Sequence, residues 1–462
     1  MRTVIQPLLF LITAFVALQG QSGRFVGAVK FPEPPVIDGR VDEEVWQLAE
    51  EIEGFIQFEP QNGQPSPLRT VGRVGYGDEV LYVAFTCYDP EPEGIAAAVI
   101  KRDGSLDDDD AVVVMLDTFN DNTTCTYFTT NSLGTQSDGK VADNGRSNNM
   151  RWDATWLSAA ARIPQGWTAE FAIPFRILKF EGGEDRTWGI NLGRFYPRRL
   201  EKSYCAGPLE DEWRVSQFGD LTGLDLQGIV ERYEIIPFAL SQAEEGRRPE
   251  GRAGFDLRYR ISSNLGADLT INPDFATVEA DVEQINLTRF ELQIPEKRPF
   301  FLEGGELFHQ RVRQFYSRRI GDIPWGAKLT GKVGAWDFAL MGEQSKPIDD
   351  GSDDSDATYT VIRAKKGLFG HSNIGFLAAN RTYGGDNRGS LGLDATLFFT
   401  ETLGATAQFV RAHGPHDDGA TAWFLRPAFD NATSHFHVRY SHWGEGLLEN
   451  MNAVGFIRDD NR

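Results

Sequence analysis

Cysteine is scarce: Cys87, Cys125 and Cys205 are the three in 462 residues. An odd count excludes a disulfide framework as the organising device, although one pair can oxidise in an exported protein. Positive charge is also in deficit. Lys and Arg total 46 against 67 Asp and Glu, for a formal net charge of −21. That balance argues against nucleic acid as a partner and leaves cations, neutral polymers and sugars. Long apolar runs are absent beyond the first twenty residues. There, Arg2, the apolar stretch 4–18, and then Gln19, Gly20 and Ser22 read as a signal peptide over residues 1–20. The run is short for a membrane span and Pro7 interrupts it. The mature chain is therefore expected to carry no membrane helix. A phosphate loop, a nucleophile elbow and a zinc motif are missing too. No carboxylate pair is marked out for glycoside hydrolysis.

What is present is glycine, 48 residues, and aromatic side chains, 12 % of the chain. Together they suit β structure with many turns. The first half opens on PPVIDGRVDEEVW, in which Asp42 is placed to cap a short helix with Val45, Trp46 and Ala49 facing inward. Strands are expected at 70–76, 80–89, 111–117, 155–163, 167–173, 188–196 and 217–221, separated by turn signals such as Gly77-Asp78-Glu79 and Pro164-Gln165-Gly166. Many short strands with regular turns indicate a sandwich of two antiparallel sheets.

Two clusters carry candidate chemistry. Trp152, Asp153 and Trp156 lie beside Asn148, Asn149 and Arg151. Sugar rings stack on indoles and their hydroxyls need acids, amides and guanidiniums, so this stretch is the candidate carbohydrate site, with Arg73 and Arg194 as further donors. Core packing of the two tryptophans is the competing reading. The second cluster brackets the 111–117 strand: Asp109 and Asp110 before it, Asp117, Asn120 and Asp121 after it. Oxygen ligands at both ends suit a structural Ca²⁺; a solvated acidic loop is the alternative, and the spacing is not that of an EF-hand.

The second half has a different and stronger pattern. Phe255, Leu257, Tyr259 and Ile261 alternate with Asp256, Arg258, Arg260 and Ser262; the same alternation runs through 265–272, 325–333, 336–343, 391–399 and 436–441. The strands are about ten residues long, the length of a tilted membrane strand. Aromatics at Trp325, Trp336, Tyr359, Trp423, Tyr440 and Trp443 suggest interfacial girdles, and very short turns alternate with longer acidic loops. A transmembrane antiparallel β-barrel follows. Between the two patterns lies 272–308, charged and aromatic at once. Val282, Ile285 and Leu292 suit a helical face, with Pro295 and Pro299 placed to stop the helix.

Two resemblances add to this. The pieces PPVIDGRVDEEVW, LYVAFTCYDPEP, DDDDAVVVMLDTFND, WDATW, GWTAEFAIPF and WGINLGRF, in that order, resemble the family 9 carbohydrate-binding domain over roughly residues 32–226. The resemblance implies a jelly-roll-like β-sandwich that binds sugar, often with structural calcium. DFATVEADVEQINLTRFELQIPEKRPFFLEG, FYSRRIG and NAVGFIRDDNR resemble the barrel region of outer-membrane proteins known as the DUF5916 family. In that family more strands follow the last motif, which implies a truncated barrel here; a smaller complete barrel is the alternative. The expected organisation is a signal peptide at 1–20, a carbohydrate-binding-like sandwich at 24–227 and a partial outer-membrane barrel at 228–462, with 272–308 folded in as a plug-like insertion. The expected function is an outer-membrane protein in contact with lipid that binds glycan through a periplasmic sandwich, for capture or uptake. Two rivals stand beside it. One is an enzyme of carbohydrate catabolism hydrolysing O-glycosyl bonds, since such modules often accompany glycoside hydrolases. The other is a transport or assembly barrel whose sandwich binds a protein or cell-wall polymer.

Overall fold

The structure is a computed structural model describing residues 24–228, 233–242, 250–273, 291–345, 356–369, 371–416 and 419–457. The signal-peptide expectation, and the helical face through Val282 and Ile285, lie outside the described residues. No described helix is long and apolar enough to cross a membrane.

The first half folds as two facing sheets. One is nine-stranded and centred on Ala111–Asp117, between Arg186–Tyr196 and Cys125–Asn131. The other is five-stranded and centred on Val80–Tyr88, between Thr70–Tyr76 and Gly166–Pro174. The β-branched run Val112–Val114 is buried on both faces, which explains why it shows no alternation. Val112, Val114 and Leu116 meet Val83, Phe85 and Phe171 between the sheets. Val113 and Met115 instead pack under loops with Tyr204, Leu209 and Val215.

The opening motif is tied down from across the chain. The turn at Glu44–Leu48 is a 3-10 helix with no side-chain cap, so Asp42 does not act as expected. Glu170, wholly buried on the central strand pair, supplies the anchor. Its carboxylate accepts from the backbone N–H groups of Asp38 (3.0 Å) and Gly39 (2.8 Å) and from Trp46 Nε1 (3.0 Å). Gly39 is required there: its φ is +89°, and a Cβ would lie 2.5 Å from the Ala160 carbonyl carbon. The three cysteines are all free and buried, so the disulfide option is not taken. Burial pushes the Cys87 thiol up to about 12.

The second half is one antiparallel sheet of twelve strands among the described residues, from Tyr233–Gln242 to Tyr440–Trp443. Neighbours in sequence pair as far as Ser434–His437, joined at one end by short connections such as Ser263-Asn264 and Gly334-Ala335. The alternating stretch 436–441 is split between two strands, Ser434–His437 and Tyr440–Trp443, both pairing with Thr421–Asn431. The two end strands do not pair with each other among the described residues.

Its alternation is inverted relative to a soluble sandwich. Trp336 (48 % exposed), Leu393 (60 %), Ile362, Ile374, Phe409, Trp423 and Leu425 point outward and bare. Glu343 (0 %), Arg363 (2 %), Lys328, Thr330, Ser390 and Gln408 point inward and are covered. Tyr359 belongs to the inner set, donating through its hydroxyl to the Arg319 carbonyl (3.2 Å), and is no part of an aromatic girdle. Trp423 and Tyr440 do meet on the outer face, 4.6 Å apart.

What covers the inner face is chain from the second half itself. Phe300, Phe301, Phe308, Phe315 and Ile320 pack on Ala339, Met341, Val361, Leu377 and Ala379. Leu447, Met451 and Ile457 pack on Val410, Ala412, Ala422 and Phe424. Pro299 occupies the first turn of the short helix Pro299–Leu302, where its missing N–H costs nothing. Small inward residues make room. A Cβ on Gly392 would sit 2.1 Å from Gln314 Oε1.

Candidate functional site at the sandwich–sheet junction

The sandwich seats on the short-turn end of the large sheet, and polar side chains make the seat. Lys332 reaches Asp121 (2.7 Å) while also holding Asp337 (3.1 Å). Asp143 takes Lys365 and, at 2.9 Å, the Asn373 amide. Ser216 donates to Glu401 (3.1 Å), which also meets His371 (3.0 Å). Arg146 pairs with Asp430 (3.1 Å) and lies 4.9 Å over the Phe398 ring.

Between sandwich, sheet and inner segment lies a cavity of about 370 Å³ lined in part by Trp152, Asp153, Lys179, Tyr259, Arg258 and Glu303. Glu303 is its hub. It accepts from Trp152 Nε1 (3.3 Å) and pairs with Lys179 (3.1 Å); Lys140 stands 3.9 Å away. Lys179 in turn donates to Thr330 (2.8 Å) on the sheet. Lys328, almost wholly buried, holds the Phe300 and Glu303 carbonyls at 2.5 and 2.7 Å. Each buried ammonium thus has acceptors, as a group taken out of water must.

The expected sugar residues do not form one platform. Trp152 and Trp156 are each 3 % exposed. Trp156 lies parallel to Phe171 at 5.5 Å and edge-on to Phe128 at 5.2 Å, so both its faces are covered by core. Trp152 lies edge-on to Phe128 at 6.1 Å, with the Lys140 ammonium 4.6 Å over its ring. The gap between two sheets about 10 Å apart needs bulky filler, and these indoles supply it. Their sequence positions, next to loop residues, gave no sign of that. Only Trp152 and Asp153 of the set reach the junction cavity. Asn149 caps its own turn through the Arg151 N–H (3.3 Å), and Arg73 pairs with Glu51 elsewhere on the sandwich. Arg194 is buried and donates to Thr70 (3.1 Å) and to the Tyr88 carbonyl (3.0 Å).

A residue that sequence reasoning missed organises this corner. Arg102 binds Asp138 (2.6 Å), Asp153 (2.7 Å) and the Ala154 carbonyl (2.8 Å). Asp138 also accepts from Trp156 Nε1 (2.6 Å). Burial carries its carboxyl up to about 7, with those donors pulling the other way. Neither Arg102 nor Asp138 sits in a motif, so no local signal marks them.

The candidate calcium ligands do not converge. Asp109 accepts from the Ala98 and Val99 N–H groups and from Asn131, and Asp110 from the Ala96 N–H. At the other end of the strand, Asp117 accepts from the N–H groups of Phe119, Asp121 and Asn122. Asp121 takes Thr123, Thr124 and Lys332. Asn120 sits at φ +49°, turning the backbone. These acids act as turn and docking anchors, and each accepts at least one donor, although Asp110 Oδ1 is buried without one. Among the described residues no three His, Cys, Asp or Glu side chains gather as a metal site.

Comparison with known proteins adds one family match. Residues 231–334 match DUF5916, a domain of unknown function. No curated protein matches the chain. Among solved structures, the chain is similar to a family 9 carbohydrate-binding module from Caldicellulosiruptor kristjanssonii in complex with cellotriose, at 16% identity and a TM-score of 0.33, over 45% of this chain and 98% of that one. The same module in complex with glucose gives the same score and identity over 99% of its length. A Bacteroides uniformis protein described as carbohydrate-binding is similar at 12% identity and a TM-score of 0.36, over 44% of this chain and 99% of that one.

Proposed function

We propose that this chain is an outer-membrane protein whose second half forms wall of a transmembrane β-barrel and whose N-terminal sandwich binds carbohydrate on the periplasmic side. The observation that carries the membrane reading is the inverted sheet. Apolar residues point outward without cover along strand after strand, while lysine, arginine and glutamate are sealed inside. Water rewards the opposite arrangement, and lipid rewards this one. Trp325 and Trp336 stand at opposite ends of one hairpin, eight strand residues apart, a span of about 26 Å at ~3.3 Å per residue. That is comparable to the apolar band of an outer-membrane barrel, roughly 25 Å tall. The sandwich seats on the short-turn end, which in such barrels faces the periplasm. The inner segment at 291–323 and the helix Leu447–Met451 then lie within the lumen, the first as the described part of a plug.

The carbohydrate reading is supported by the six ordered sequence pieces and by the junction cavity. Its mixed lining of one indole, two tyrosines, arginines and acids suits hydroxyl-rich ligands.

The membrane reading is tested with brominated lipids. In vesicles, quenching of tryptophan fluorescence is expected to fall by the share due to Trp325, Trp336 and Trp423 when all three are changed to phenylalanine. Unquenched emission from the unmodified chain would remove the membrane reading. For carbohydrate, a glycan array probed with the full chain in detergent micelles is the corresponding test; no bound glycan removes that reading.

A further inference from the structure

Residues 309–314 run along the inner face of the large sheet with their side chains divided by parity. Gln310 donates to Asp394 (2.7 Å), the Val312 backbone exchanges hydrogen bonds with the Gln408 amide (2.7 and 2.8 Å), and Gln314 donates to Ser390 (3.1 Å). The even positions therefore hold the wall. An extended chain sends alternate side chains to opposite sides. The odd ones, His309, Arg311 and Arg313, line a cavity of about 260 Å³ together with Arg146, Thr406 and Gln408.

The acids around this cavity are already engaged. Asp394 holds Arg363 in a two-pronged pair (2.5 and 2.9 Å), Asp143 holds Lys365 and Asn373, and Asp430 holds Arg146. Arg311 has no hydrogen-bond or ion-pair partner among the described residues. The Arg151 side chain, from the sandwich, has none either. Among the described residues the Arg313 side chain meets only the neutral Gln293 amide and the Tyr316 ring. The charges that act on these groups are mostly of their own sign. Arg426 and Arg439 act on Arg311, and Arg151 acts on Arg313. Positive charge gathers here in a chain whose net charge is −21. Like charges held together away from bulk water repel. An anion relieves that repulsion, and the guanidinium fork matches the paired oxygens of a sulfate or carboxylate.

We propose that Arg311 and Arg313 form a lumen-side site for the anionic group of a sugar, a sulfate ester or a carboxylate. The anion site stands on the arginines themselves, while its sugar carrier rests on the carbohydrate reading above.

The test is calorimetric titration of the full chain in detergent micelles at low salt. Three probes are compared: a sulfated disaccharide, the same disaccharide without sulfate, and inorganic sulfate. The sulfated sugar is expected to bind at least tenfold more tightly than its unsulfated form, with the preference shrinking as salt is added. Arg311→Gln with Arg313→Gln is expected to abolish the preference, and Arg311→Lys with Arg313→Lys to keep most of it, which separates lost charge from lost folding. A preference that survives the glutamine pair overturns the site. Equal binding of both disaccharides to the unmodified chain also overturns it, and leaves the carbohydrate reading intact. Inorganic sulfate bound through the two arginines, with neither disaccharide bound, overturns the sugar carrier and the carbohydrate reading together.

Discussion

Buried carboxyls on the sandwich set its response to pH. Burial raises Glu170 from an ordinary 4.5 to about 7, although two backbone N–H groups and Trp46 favour its ionised form. The unfolded chain gives up that proton at lower pH than the folded one. Stability contributed by the protonated form is therefore complete below about 4.5 and declines as pH rises through about 7. A melting series between pH 5 and 8 should show that decline, and Glu170→Gln should flatten it while lowering stability at acid pH through loss of an acceptor. Asp138, also carried to about 7, acts in the same direction. Trp156 belongs to this scale too. Because it is sandwiched in the core, Trp156→Ala should cost about 3–5 kcal/mol of stability by chemical denaturation. Sugar titrations should change only as far as the fold does. A stable variant with selectively lost sugar binding would restore the platform reading.

Among the elements, the inner segment and the wall are fitted to each other. Gly392 leaves space for the Gln314 side chain, which bonds Ser390 and the Leu377 carbonyl. Gly392→Val should expel that side chain and loosen the segment around it. Faster protease cleavage within 309–320, with the strands still protected, is the expected readout; unchanged cleavage would mean the segment does not depend on this fit. The same reciprocity was partly legible in sequence. The strands at 70–76, 80–88 and 111–117 are where turn signals and β-branched runs put them. Cys125–Asn131 and Gln136–Ala142 were missed, since CTYFTTN and QSDGKVA are polar or glycine-bearing and become strands only by pairing with Ala111–Asp117 and each other. Tertiary pairing overrode weak local propensity there. Arg102 escaped for a related reason: its partners Asp138, Asp153 and Ala154 are distant in sequence and meet only after both sheets form.

For the whole molecule, the seat between sandwich and sheet is the decisive joint. Asp143 is held well ionised by the Lys365 ammonium beside it, despite burial. Its contribution is therefore present above its ordinary range and lost as pH falls through its lowered value. Asp143→Asn leaves Lys365, mostly buried, without its carboxylate. That change should cost about 3–5 kcal/mol at the joint. It should accelerate cleavage between the two halves under limited proteolysis. Cleavage at the unmodified rate would mean the halves are held together by the remaining contacts alone.

The sequence by itself determined the period of each half: short turn-punctuated strands in the first, long strictly alternating ones in the second. It also marked the joint at 272–308 as belonging to neither pattern. Alternation with period two is unchanged when the two faces are exchanged, so it says that a strand has an apolar side without saying what that side meets. Only the tertiary structure decided that. It turned Trp152 and Trp156 into the core, spread the calcium candidates over turns and the docking seat, and covered the charged face of the large sheet while leaving the apolar face bare. The physical reason is that burial depends on residues far away in the chain, Glu303 against Trp152 and Phe300 against Met341, which no local pattern contains.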